Sequence, residues 1–183
     1  SSSHMKLTLN FVNLDPTRRY NFRGTVSRGG NYDNRWSLFS LVGPENYVAA
    51  HVDGSINKNI FTQATFPSAN LLPNQVALNT GDNKAGSLVG WDSIEPVLGL
   101  DANGAESYMI QIVAEQYLGV SPFGNPSAAA AQYGYGFNAI YLAEVEATGS
   151  LRITENPSNV RAPAGKSARF EVSASSTLPI TYQ

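Results

Sequence analysis

Arg35-Trp36-Ser37-Leu38-Phe39-Ser40-Leu41-Val42 is the stretch whose reading decides the fold class. Consecutive side chains of a strand point to opposite sides. Here both sides are apolar, with Trp36 and Leu38 on one and Phe39 and Leu41 on the other. That pattern belongs to a central strand buried on both faces. The neighbouring runs alternate more simply, as strands with one buried face do. Leu7, Leu9 and Phe11 share a face within Lys6 to Val12, and Tyr20, Phe22, Gly24 and Val26 share one within Tyr20 to Val26.

The same rhythm continues along the chain. Tyr47 to Val52, Gln75 to Asn79, Ser87 to Trp91, Ser107 to Glu115 and Phe137 to Val145 all read as strands. In the last of these Phe137, Ala139, Tyr141 and Ala143 are expected on one face. Turn chemistry separates the runs: Asn13-Leu14-Asp15-Pro16, Gly29-Gly30-Asn31 and Asp101-Ala102-Asn103-Gly104 combine residues that tolerate or impose tight backbone angles. Asp53 to Asn74 is less regular and is expected to hold a short helical turn or a long loop. About eight strands without a long helix predict an all-β fold, a jelly-roll-like antiparallel β-sandwich.

Three segments are distinguished. Residues 1–5 (Ser1-Ser2-Ser3-His4-Met5) read as a tag remnant. Residues 6–147 form the sandwich domain, and residues 148–183 a separate piece. In that piece Ala168, Phe170 and Val172 alternate with Arg169, Glu171 and Ser173. It resembles the opening of a bacterial immunoglobulin-like repeat, without the core Trp that usually follows. A segment of this length cannot bury a core of its own. It is expected to pack on the main domain, pair with another chain or stay poorly ordered.

Composition narrows the functions. Charged residues are 14% and aromatic residues 10% of the chain, so it has the apolar content to fold. A formal net charge of −2 supplies no basic face for nucleic acid. No apolar run approaches the roughly 18 residues of a membrane-crossing helix, so membrane insertion is not expected. The absence of cysteine removes disulfides, thiol nucleophiles and Cys-ligated zinc.

Chemistry-bearing residues are sparse. His51 is the one histidine outside the tag, and it reads as a strand residue at a sheet surface because no Gly-x-Ser-x-Gly elbow accompanies it. Acids such as Asp33, Asp53, Asp82, Asp92, Glu95, Glu106, Glu115, Glu144 and Glu146 fall in turns or alternate outward, with no pair marked for glycoside hydrolysis. No cofactor is required. A structural calcium ion is conceivable at the Asp101 and Asn103 loop, whose oxygens are hard ligands, although a plain turn role is commoner there.

Aromatic and amide side chains are the more informative class. Sugar rings have apolar C–H faces on which exposed aromatics stack, while Asn and Arg bind the hydroxyls. Trp36, Trp91, Tyr133, Tyr135, Asn138 and Arg35 are the candidate ligand-binding residues. The two tryptophans are also natural core residues, because burying them removes a large apolar area from water. Tyr133 and Tyr135, spaced by Gly134 in a polar loop, suit an exposed surface better. Arg35 could instead tie loops by hydrogen bonds to carbonyls or to Asp33.

Taken together, several segments resemble an accessory domain of secreted multidomain bacterial proteins, similar to carbohydrate-binding modules. These are Phe11-Val12-Asn13-Leu14-Asp15-Pro16-Thr17-Arg18-Arg19-Tyr20-Asn21-Phe22, Arg28-Gly29-Gly30, Asn34-Arg35, Ala77-Leu78-Asn79-Thr80-Gly81-Asp82-Asn83, Leu100-Asp101-Ala102-Asn103-Gly104 and Tyr133-Gly134-Tyr135-Gly136-Phe137-Asn138-Ala139-Ile140. The resemblance implies secretion or display at the bacterial cell surface, attachment to other domains of the same polypeptide, and binding of a polysaccharide or other glycan without catalysis. A structural or adhesive spacer is the alternative, and a small glycoside hydrolase the third reading.

Overall fold

The doubly apolar run does sit between two cores. In the computed structural model, which describes residues 6–26, 32, 35–49, 59–123, 135–145, 152–157 and 159–175, Phe39 and Leu41 enter the main core while Trp36 packs in a second. The chain divides into two compact units, Ser1–Val145 and Glu146–Gln183. The strands of the first are β1 (Lys6–Phe11), β2 (Arg19–Thr25), β3 (Trp36–Val42), β4 (Val48–Ala49), β5 (Ile60–Thr62), β6 (Gln75–Asn79), β7 (Val89–Ile94), β8 (Val97–Leu100), β9 (Glu106–Gln116) and β10 (Ala139–Val145). No α-helix occurs among the described residues; the Asp53 to Asn74 region contributes β5 and one 3-10 turn, Pro67–Ala69.

All pairings are antiparallel. A six-stranded sheet has the order β1-β9-β3-β6-β5, with β8 also paired to β9, and a four-stranded sheet has the order β10-β2-β7-β4. The pairs β1–β9, β2–β7 and β3–β6 are nested one inside another. That nesting lays the two antiparallel sheets against each other as a sandwich. The fold is an all-β sandwich. Strand β8 was not anticipated from the sequence, and β7 runs from Val89 to Ile94, later than the expected Ser87 to Trp91.

The main core joins both sheets. Tyr20, Phe22, Val89, Trp91 and Ile94 come from the small sheet, and Phe39, Leu41, Val76, Leu78, Ile110, Ile112 and Ala114 from the large one. Leu7, Leu9 and Phe11 pack against it from β1, on the face that alternation assigned them. Burying each large apolar side chain is worth about 1.5–3 kcal/mol, so this layer dominates the stability of the sandwich.

One inward position is a glycine for a visible reason. Gly24 follows Tyr20 and Phe22 on the buried face of β2, and a Cβ there would collide with the ring of Phe137. That ring stands edge-on to Phe22 at 5.5 Å and packs on Phe39 at 4.7 Å. Phe137 thus precedes β10 instead of belonging to it. This corrects the expected face: Phe137 enters the core with Leu142, while Tyr141 stays outside at 60% exposure.

In the second unit β11 (Arg152–Glu155) pairs with β12 (Ser173–Ser175), with a register shift between Ile153 and Glu155. The alternating run from Ala168 to Val172 is not itself in a strand; β12 begins just after it.

Candidate functional site

Burial removes the two tryptophans from any ligand surface. Trp36 is 2% and Trp91 0% exposed, so neither can act as the stacking platform considered for it. Trp36 lies among Phe61, Leu71, Ala77 and Tyr117, and Trp91 lies in the main core 6.1 Å from Phe22. The indole N–H of Trp91 has no hydrogen-bond acceptor among the described residues, so packing alone holds the ring.

Arg35 and Tyr135 are brought together, but as a brace. The guanidinium lies over the Tyr32 ring, 3.8 Å from its centroid, and Arg35 Nη1 donates to the Tyr135 hydroxyl. The Ser37 hydroxyl accepts the Tyr135 amide at 3.0 Å and donates to the Tyr135 carbonyl at 3.1 Å. These contacts hold residue 135 against the start of β3. Asn138 is exposed at the head of β10, its amide donating to Thr25 O at 2.9 Å. Tyr133, His51, Asp33 and Asp53 lie outside the described residues.

Asp101 organises the β8–β9 hairpin. Its Oδ1 accepts the amides of Asn103 at 2.8 Å and Ala105 at 2.9 Å. Those bonds, the Ala105 amide foremost, hold the carboxyl below its usual pKa. Asn103 contributes its backbone to this turn. No group of three or more His, Cys, Asp or Glu residues converges as a metal site among the described residues. Asp15 plays a similar part at the β1–β2 turn, its pKa lowered first by the Thr17 hydroxyl and then by the Thr17 amide. Tyr117, whose hydroxyl donates to Val120 O at 2.6 Å, has its pKa raised by burial.

Part of the exposed apolar surface of the first unit lies on the outer face of the four-stranded sheet, at Tyr141, Val48 and Leu88. Because Tyr20, Phe22 and Gly24 point inward, Arg19, Asn21, Arg23 and Thr25 of β2 point out. Register then sets Tyr141 directly opposite Arg23, and Arg23 opposite Gly90. Gly90 has no side chain to block that row: a Cβ there would come within 2.6 Å of Arg23 Cδ. The Arg23 stem therefore lies flat across the sheet. Its Nη2 reaches Asp92, at 2.8 Å from Oδ1 and 3.0 Å from Oδ2, and its Nη1 donates to Phe22 O at 2.8 Å.

Beside this pair lies an open groove of about 290 Å³ lined by Arg23, Gly24, Thr25, Leu88, Ala139, Ile140 and Tyr141. Two further ion pairs edge the same sheet, Arg18–Glu144 at 3.2 Å and Arg19–Glu95 at 3.3 Å, with Asn46 Nδ2 donating to Glu95 at 2.7 Å. Exposed pairs of this kind contribute about 0–1 kcal/mol each, so they order side chains more than they stabilise the fold. Chemically, the face offers an aromatic ring for stacking, a carboxylate that accepts and a guanidinium already fixed in place.

Sequence reasoning missed Arg23, Asp92 and Tyr141. Alternation did place Arg23 between inward Phe22 and Gly24, and that signal was available. The exposure of Tyr141 was not, because it depends on where Phe137 goes. Neither a family model, nor a curated protein, nor a solved structure matches this chain.

Proposed function

We propose that residues 6–145 are a non-catalytic carbohydrate-binding module of a secreted polysaccharide-active protein, with the outer face of the four-stranded sheet as its glycan surface. One observation carries the reading: Tyr141 stands 60% exposed in direct register with Arg23, whose guanidinium is pinned to Asp92. Ligand sites combine apolar walls with a few well-placed polar groups; here the groove supplies the apolar wall, and the Arg23–Asp92 pair beside it supplies the polar groups. A sugar ring laid on Tyr141 presents its C–H face to the phenol and its edge hydroxyls toward Asp92. Because the Arg23–Asp92 pair is assembled before a ligand arrives, little side-chain entropy is lost on binding.

Affinity electrophoresis of the purified chain in gels containing plant and algal polysaccharides tests this. Retardation by at least one polysaccharide is expected, together with its loss in Tyr141→Ala. Unretarded migration across a broad panel overturns the proposal.

The adhesive or structural spacer is the second reading, and the complete burial of both tryptophans favours it. A spacer needs no ligand, so under that reading Tyr141→Ala changes no binding behaviour at all.

A further inference from the structure

We infer that residues 168–172 of the second unit form a self-complementary strand through which two copies of this chain pair. The segment Ala168-Arg169-Phe170-Glu171-Val172 is exposed throughout, with Phe170 63% and Val172 44% accessible. It belongs to no strand pairing among the described residues, although it leads straight into β12. The reason is local. β11 ends at Glu155, and Asn156-Pro157 follows. The ladder ends at Glu155, and Pro157 two residues on has no N–H with which to resume it.

A second copy supplies what β11 does not. When the segment pairs antiparallel with itself about Phe170, Phe170 meets Phe170 of the second copy, and Ala168 meets its Val172. Arg169 then faces Glu171 of the second copy, and by symmetry Glu171 faces its Arg169. Opposite charges and apolar side chains both find complements across the ladder, the pairing that stabilises antiparallel sheets. Within one copy Arg169 Nη2 already lies 2.6 Å from Glu171 Oε1, so both charges project from the same side of the segment. The apolar residues Ala168, Phe170 and Val172 alternate onto the other side. A two-fold interface requires a patch that complements itself, and this one does. An open strand edge is also the part of a β protein most prone to recruit another chain.

Sedimentation equilibrium on the full chain provides the test. A reversible dimer is expected, with Arg169→Glu weakening it by about tenfold because two like-charge pairs replace two opposite ones. The double variant Arg169→Glu with Glu171→Arg should restore the dimer. Since the chain has no cysteine, Phe170→Cys should crosslink to itself across the axis on mild oxidation, whereas Ala168→Cys should not. A chain monomeric at every concentration overturns the inference, as does a dimer indifferent to Arg169→Glu. Neither result depends on whether the first unit binds a glycan.

Discussion

The two sheets of the sandwich treat their outer faces in opposite ways. On the large sheet, Trp36, Leu38 and Ala77 point away from the main core, and the segment between β5 and β6 folds over them with Phe66, Ala69 and Leu71. Ring contacts knit this cover: Trp36 to Phe61 at 5.2 Å, Phe61 to Phe66 at 5.7 Å and Phe61 to Tyr117 at 5.7 Å. The segment also satisfies its own backbone, through Phe66 N to Thr62 O at 2.9 Å and Asn70 N to Pro67 O at 3.0 Å. On the outer face of the small sheet, Tyr141 and Val48 remain exposed, as does Leu88 just before β7. One face has become a second core and the other has kept its apolar residues in water. An uncovered apolar face adds nothing to folding, which is why it is the place to look for a ligand.

The sharpest way to break this contrast is to truncate one aromatic from each face. Trp36→Ala should cost about 3–5 kcal/mol in chemical denaturation, the range for a large buried aromatic. Tyr141→Ala should stay within about 0.5 kcal/mol of the parent chain, as surface changes do. Equal losses would mean that Tyr141 is not on an open face. Next in size is Gly24→Val, expected to cost about 1–3 kcal/mol through overpacking against Phe137. It should also reduce glycan retardation, since Phe137 leads directly into the strand that carries Tyr141.

Binding sharpens the comparison from the other side. With a retarding polysaccharide in hand, Tyr141→Ala should weaken affinity about tenfold or more, as loss of an exposed aromatic anchor does. Trp36→Phe, confined to the covered face, should leave affinity unchanged. Isothermal titration separates the two outcomes.

The smallest effect lies on neither face. The carboxyl pKa of Asp101 is lowered in the folded chain, so its contribution is present above the unfolded value and is lost as pH falls through the lowered one. Asp101→Asn should therefore be less stable than the parent at neutral pH. The gap between the two melting temperatures should close in strongly acidic solution. A gap that widens toward acid would refute the assigned role of the Asp101 carboxylate.

What could be read in advance follows from how far apart the interacting residues lie. The run from Trp36 to Val42 announces a strand between two apolar layers because the alternation is written in neighbouring residues. β8 announced nothing: Val97 to Leu100 is four residues flanked by Pro96, and it becomes a strand by pairing with Glu106 to Met109 across the Asp101 turn. Trp36 and Trp91 looked equally suited to a core or to a ligand, since an indole ring serves either. Phe61, the segment from Phe66 to Leu71 and Tyr117 decide for Trp36, and the core shared by the two sheets decides for Trp91.

Local spacing of apolar residues and the turn-forming Asn, Asp, Gly and Pro were enough to establish an all-β sandwich, because strand period and turn geometry act over a few residues. The tertiary structure alone decided which sheet surface is sealed and which is open. Sealing depends on residues distant in the chain meeting, as when the Phe137 ring fills the space left by Gly24 and Tyr141 remains outside.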